Sequence, residues 1–238
     1  MDSGPLTGRP LLSLVTGWSR GVSRHHDVSM LFGQVGAAVA AGMDLIQIRE
    51  PELPDRVLLE IVRRCVDMAH GTGTIILVND RLDVALAAGA GGAHLRTRSV
   101  PAPVARRHAP DGFLLGRSVH GAAEAARVAD GGGLDYLVMG TVFSSRSKPG
   151  APACGVSRLG AVAHAVDLPV LAVGGVTVDK AVEVFRAGAA GVAAIGLFAR
   201  LGPSGRFDEM CDVVGELRRS YRSVVRGLRG ATSDGTPA

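Results

Sequence analysis

The residues best suited to chemistry in this sequence recur at the ends of short apolar runs rather than in one compact motif. Gln47, Arg49 and Glu50 close one run, Asn79 and Asp80 another, and Ser118 and His120 a third. A stretch holding Ser144, Ser145, Ser147 and Lys148 follows a fourth, and Gly174-Gly175 and Ile195-Gly196 end two more. Glycines let backbone N–H groups approach an anion closely, and serine hydroxyls with a lysine ammonium would complete a phosphate cradle. A tight turn accounts for a Gly-Gly pair equally well. Arg49 ends a buried run, where an unpaired charge is costly. It either forms an ion pair with Glu50 or Asp80, or receives a substrate carboxylate or phosphate. Asn79-Asp80 would ligate magnesium or orient substrate, and Asp80 would equally cap a helix beginning at Arg81. His120 is a side chain that transfers protons near neutral pH, or else a satisfied histidine bridging loops. His94 reads as structural.

The runs that would position these residues are Leu11–Gly17, Asp44–Glu50, Thr74–Asp80, Gly92–Arg96, Phe113–His120, Tyr136–Phe143, Pro169–Val176 and Gly191–Phe198. Most are continuously apolar, as parallel strands buried on both faces are. Amphipathic helical patterns lie between them, at Leu31–Ala41, Arg56–His70, Ala122–Ala129, Val156–Val166, Lys180–Ala187 and Arg206–Tyr221. Strict alternation implies right-handed crossovers and a parallel sheet. The number of repeats favours a closed (β/α)8 TIM barrel over an open doubly wound sheet. In such a barrel chemistry sits at the C-terminal ends of the strands, which is where the polar set falls. Residues 1–229 read as one barrel domain, residues 230–238 as a disordered tail, and Trp18–Val28 as a long first loop.

Composition narrows the partners. The 238 residues are 47% hydrophobic and 20% charged, with 33 glycines and only 4% aromatics, which suits many tight strand–helix turns. The net charge of +4 is spread over helical segments. No dense basic patch interleaved with aromatics points to nucleic acid, and no apolar run is long enough for a membrane span. Cys65, Cys154 and Cys211 lack metal-ligand spacing and are odd in number. No signal-peptide pattern opens the chain, so a cytoplasmic protein is expected.

LIQIRE, VNDRLDVALAAGAGGAHL, GRSVHGAAEAARVA, DYLVMGTVFSSRSKPG, GVSRLGAV and PVLAVGGVTVDKAVEVFRAGAAGVAAIG follow one another in this order. Together they resemble the thiamine phosphate synthase/TenI superfamily, from about Leu11 to Leu201. The resemblance implies one of two activities. Synthases join a hydroxymethylpyrimidine diphosphate to a thiazole phosphate using magnesium. TenI-type tautomerases aromatise a carboxythiazole phosphate without metal. In both, the thiazole phosphate occupies the cradle at the last two strands, which here maps onto Ser145, Ser147, Lys148, Gly174, Gly175, Ile195 and Gly196. Barrels of this family often pair, so a homodimer stands beside the monomer as an expected assembly.

The two activities part at the diphosphate–magnesium half. Synthases carry a lysine two places after the strand-two arginine, where this chain has Pro51. They also carry an aspartate after strand four, where it has Ser99. A lone Asp80 facing Arg96 or Arg98 would hold magnesium poorly. GRSVH also looks more like the tautomerase branch. The expectation is therefore a thiazole tautomerase, an isomerase without cofactor. The resemblance makes His120 its proton shuttle; we read Arg49 as meeting the substrate carboxylate, and Asn79, Asp80 and Ser118 as shaping the pocket's other side. The alternatives are a magnesium-using thiamine phosphate synthase and a non-catalytic regulatory protein that binds a phosphorylated ligand. None of the three involves nucleic acid or membrane.

Overall fold

The computed structural model describes residues 9–17, 28–145, 150, 152–199 and 207–233, with side chains as far as residue 228. Among these residues, eight strands alternate with eight helices: β1 Leu11–Val15, α1 Val28–Ala40, β2 Leu45–Ile48, α2 Asp55–Ala69, β3 Ile75–Asn79, α3 Leu82–Ala87, β4 Gly92–Leu95 and α4 Ala102–His108, then β5 Leu114–Val119, α5 Ala122–Asp130, β6 Tyr136–Gly140, α6 Gly155–His164, β7 Val170–Val173, α7 Val178–Arg186, β8 Gly191–Ala194 and α8 Met210–Ser233. Neighbouring strands pair in parallel, and β8 pairs with β1 to close the (β/α)8 barrel. Each expected strand is present. The short α4 shows no clear periodicity in sequence, because seven residues include Pro103 and end in Arg106, Arg107 and His108. The last helix runs to Ser233, beyond the expected end at Tyr221 and into the segment read as a tail. No described helix is long and apolar enough to cross a membrane.

Alternation along each strand divides the apolar residues into two sets. Leu12, Leu14, Ile46, Ile48, Val78, Leu115, Met139 and Ala172 belong to the large cluster with the helices. Leu11, Val15, Leu45, Leu77, Leu114, Tyr136 and Leu171 fill the lumen. The lumen is thus a packed core. Its largest residue, Tyr136, has room because Gly116 faces it: a Cβ there would stand 2.0 Å from the ring.

At the N-terminal face two aspartates are used alike. Asp44, immediately before β2, accepts the Leu12 N–H of β1 at 2.9 Å. Asp135, immediately before β6, accepts the Leu115 N–H of β5 at 2.6 Å. Each also holds arginine: Arg9 at 2.9 Å and Arg218 at 3.6 Å on Asp44, Arg106 on Asp135. Arg218 lies on α8 and donates to the Gly42 carbonyl at 2.5 Å, so Asp44 ties the last helix to the first two strands.

His94 of β4 tops the lumen and is 3% exposed. Its Nε2 lies 2.8 Å from Ser118 Oγ and its Nδ1 3.3 Å from Tyr136 Oη. Burial lowers its pKa to about 4, and the positive charges of Arg117 and Arg49 push the same way. The ring is therefore neutral at physiological pH, with one nitrogen donating and the other accepting.

Two stability measurements follow from these buried groups. Asp44→Ala leaves the buried Leu12 N–H without its acceptor and removes both ion pairs, so urea unfolding is expected to show a loss of about 3 kcal/mol. Arg56→Ala, which breaks a pair whose side chains are 91% and 64% exposed, is expected to stay within about 0.5 kcal/mol. For His94, the unfolded chain takes up a proton below its ordinary value of 6.5 that the folded chain refuses until about pH 4. Stability therefore falls as pH is lowered through that window, by about 3 kcal/mol in all. Unfolding of wild type and His94→Gln compared between pH 7.5 and 4.5 tests this: the variant is expected to lose 2 to 3 kcal/mol less (roughly two pKa units). Parallel pH profiles would disprove it.

Candidate active site at the C-terminal mouth

The residues on the inward parity at the upper ends of β2 to β5 are polar: Gln47 and Arg49, Asn79, His94 and Arg96, Ser118 and His120. The strands that bury leucine below thus present hydrogen-bonding groups above. At the β1–β2 corner, the buried Thr16 hydroxyl donates to Glu50 Oε1 at 2.5 Å and accepts the Arg49 N–H at 2.9 Å. This contact fixes the backbone that carries Arg49. Sequence reading missed Thr16, whose β-branched side chain looks like any other residue ending an apolar strand.

Asp80 does not cap α3. That helix is preceded by Arg81 and has no side-chain cap. Arg81 instead joins Asp55 at the start of α2 and Asp83 at the start of α3. Asp80 is the described non-glycine residue with positive φ, 65°, a conformation aspartate tolerates better than most. Its N–H donates to the His94 carbonyl at 2.9 Å. Its Oδ1 accepts the Ser99 hydroxyl, and its Oδ2 lies 3.4 Å from Arg96 Nη1. Ser99 Oγ in turn accepts the Arg96 N–H at 2.7 Å. Asp80, Arg96 and Ser99 thus form one linked unit, with Arg96 as an ion partner of Asp80.

His120 N–H donates to Glu124 Oε2 at 2.8 Å, and its Nδ1–H donates to the Gly140 carbonyl at 3.1 Å. A carbonyl only accepts, so Nδ1 carries a proton. Ser118 is engaged from below by His94.

The glycines of the last strands differ among themselves. Gly174 and Gly175 have φ of 97° and 62°, and a Cβ on them would meet Thr141 at 2.6 Å and the Ser144 carbonyl at 2.4 Å. Seating the chain that leaves β6 therefore requires this pair, ligand or not. Among the described residues, a Cβ on Gly196 would meet nothing within 4 Å, so its backbone faces open space there. Ile195 packs against the lumen and against Gly17. Ser145 is described, whereas Ser147, Lys148 and the Trp18–Asp27 part of the first loop lie outside the described residues.

Comparison with known proteins bears on this mouth. A family profile described as Thiamine monophosphate synthase matches residues 21–198. A thiamine-phosphate synthase of Moorella thermoacetica is 38% identical over 225 residues, 94% of this chain and 92% of that one. A thiamine-phosphate synthase of Methanoculleus marisnigri is 44% identical over 159 residues, 66% of this chain and 75% of that one. The solved thiamine phosphate pyrophosphorylase of Pyrococcus furiosus superposes with a TM-score of 0.73 at 29% identity, covering 90% of this chain and 96% of that one.

The tautomerase expectation is thereby corrected. Curated relatives at 38–44% identity carry the synthase name. The tautomerase reading rested chiefly on Pro51 and Ser99, and both lie in one half of the mouth. A change confined to that half reports how an anion is held there, not which reaction the barrel runs. With the profile spanning most of the barrel, the chain belongs to the thiamine monophosphate synthase/TenI family.

Proposed function

We propose that this enzyme is a thiamine phosphate synthase, joining a hydroxymethylpyrimidine diphosphate to a thiazole phosphate. The observation that carries this reading is the match to a relative of that name along 94% of the chain. In the reaction, the bond between the pyrimidine's methylene carbon and the diphosphate oxygen breaks, and its electron pair leaves with the diphosphate. The thiazole ring nitrogen forms a bond to that carbon with its own lone pair. No proton has to move between ring atoms, so the work is orientation and stabilisation of the departing negative charge. His120 then serves as a wall of the site, held by Glu124 and Gly140, and is not its proton shuttle.

Arg49, Asn79 and Ser118 are assigned to the pyrimidine diphosphate, in the polar upper layer of β2 to β5, with Asp80 beside them holding Arg96. The thiazole phosphate is assigned to Ser145, Gly174, Gly175, Ile195 and Gly196, together with Ser147 and Lys148. Open space over Gly196 supports close approach of an anion to its backbone. Arg49 provides a charge that cannot be deprotonated and is positioned through Thr16.

Synthases of this family use magnesium, which bound to a diphosphate offsets its charge. The described residues do not fit a magnesium held by protein. No group of three histidine, cysteine or acidic side chains is placed for a metal among them. Asp80 already spends both oxygens on Ser99 and Arg96. Magnesium prefers an octahedron of oxygens and is repelled by a neighbouring guanidinium.

The decisive assay is formation of thiamine phosphate from both precursors in the presence of Mg²⁺, followed by chromatography. Product and inorganic pyrophosphate in equal amounts are expected, and a folded protein that yields neither would overturn the reading. Arg49→Ala is expected to lower kcat/KM by about 100-fold, near 3 kcal/mol of transition-state stabilisation. His120→Ala is expected to cost less than about tenfold, since no acid–base step depends on it.

A further inference from the structure

The disagreement between a diphosphate substrate and a mouth that does not fit a resident metal leads to a specific assignment. We propose that Arg96 is a further diphosphate-binding residue of this chain, moving from Asp80 to the substrate, and that the free protein holds no magnesium. This rests on the synthase reading, because it takes the anion to be a diphosphate.

The observations are geometric. Arg96 directly follows β4, two residues after His94 at the top of the lumen, and its side chain is 61% exposed, so it is free to swing. Its contact to Asp80 is long, 3.4 Å, and Asp80 is itself 34% exposed. Ion pairs this open are weak and are readily exchanged for a better partner. A diphosphate is a better partner, offering more charge and a bidentate fit to the guanidinium. Asp80 is not left bare by the exchange, because Ser99 keeps its hydrogen bond to Oδ1. Ser99 therefore makes the carboxylate tolerable without a metal. The Arg96 main-chain N–H is anchored to the same Ser99 oxygen, so the backbone stays fixed while the side chain moves. Arg49 and Arg117, whose charges help burial to lower the pKa of His94, add positive potential beside it. Any magnesium in the reaction then enters as the counter-ion of the diphosphate itself.

Three measurements on the full chain test this. Titration with Mn²⁺ alone, followed by the electron paramagnetic resonance of the free ion, is expected to show no uptake at sub-millimolar concentration. Ser99→Asp, which adds a second carboxylate beside Asp80, is expected to tighten Mn²⁺ binding at least tenfold. Calorimetry with inorganic pyrophosphate in the presence of a chelator is expected to show binding that Arg96→Ala weakens at least tenfold. Stoichiometric Mn²⁺ uptake by wild type, abolished in Asp80→Asn, would overturn the proposal. So would Arg96→Ala binding pyrophosphate as wild type does. Failure of the coupling assay with these results intact would sink the synthase reading and leave the Arg96 assignment as a pyrophosphate site. Coupling together with tight Mn²⁺ uptake would do the reverse.

Discussion

Closing eight parallel strands on themselves gives each strand two buried faces and removes every sheet edge. Side chains must then alternate strictly between lumen and helices, since a slip of one residue exchanges the two sets. The helix-facing cluster draws on all eight strands and the lumen cluster on seven, β4 giving Gly92 and His94 inward instead. The active site is a consequence of it. Inward positions that hold Leu45, Leu77 and Leu114 low in the barrel are followed two or four residues later by Gln47, Asn79 and Ser118. Polar groups gather at the mouth because the same parity is carried past the last layer that leucine can seal.

The two ends of the barrel use acidic residues for opposite purposes. Asp44 and Asp135 precede their strands, accept a neighbouring strand's N–H and are closed off by arginine. These are permanent fastenings, and their likeness across β1–β2 and β5–β6 fits the internal regularity of a barrel made of repeated units. Asp80 follows its strand, adopts a left-handed backbone and rests on one hydroxyl and one long ion contact. Conservation of geometry belongs to the first kind, exchange of partners to the second. Between the two ends, His94 couples Tyr136 in the sealed core to Ser118 at the mouth, so burial below restricts the orientation of a group above.

Fold was legible in the sequence because it rests on repetition. Eight apolar runs separated by amphipathic stretches leave few arrangements open, and the strand limits fell within a few residues. The helix at Ala102–His108 escaped because two prolines bracket its start and a basic cluster its end, which hides the apolar face formed by Ala102 and Ala105. The site was legible in position but less so in role. Arg49, Asp80, Ser118 and His120 all stand at the mouth, yet residue type alone could not say that Asp80 meets Ser99 and Arg96 rather than capping a helix. Nor could it say that Gly174 and Gly175 make room for Thr141 and Ser144. Roles depend on contacts made across the barrel, between residues far apart in the chain.

The tautomerase expectation failed for a related reason. It treated Pro51 and Ser99 as losses, and a loss in sequence is a statement about one side chain, whereas binding is a statement about the balance of charge in a whole cavity. When an aspartate is replaced by serine next to a remaining aspartate, the local charge rises by one, and a metal cation is no longer the best neutraliser of an incoming anion. A flexible guanidinium already paired with that remaining aspartate becomes one. The serine hydroxyl meanwhile satisfies the carboxylate whether the guanidinium is present or not. On the proposed reading, the replacement moves the positive charge from a metal to the chain, and a reaction that needs charge neutralised rather than a proton transferred is left with what it requires.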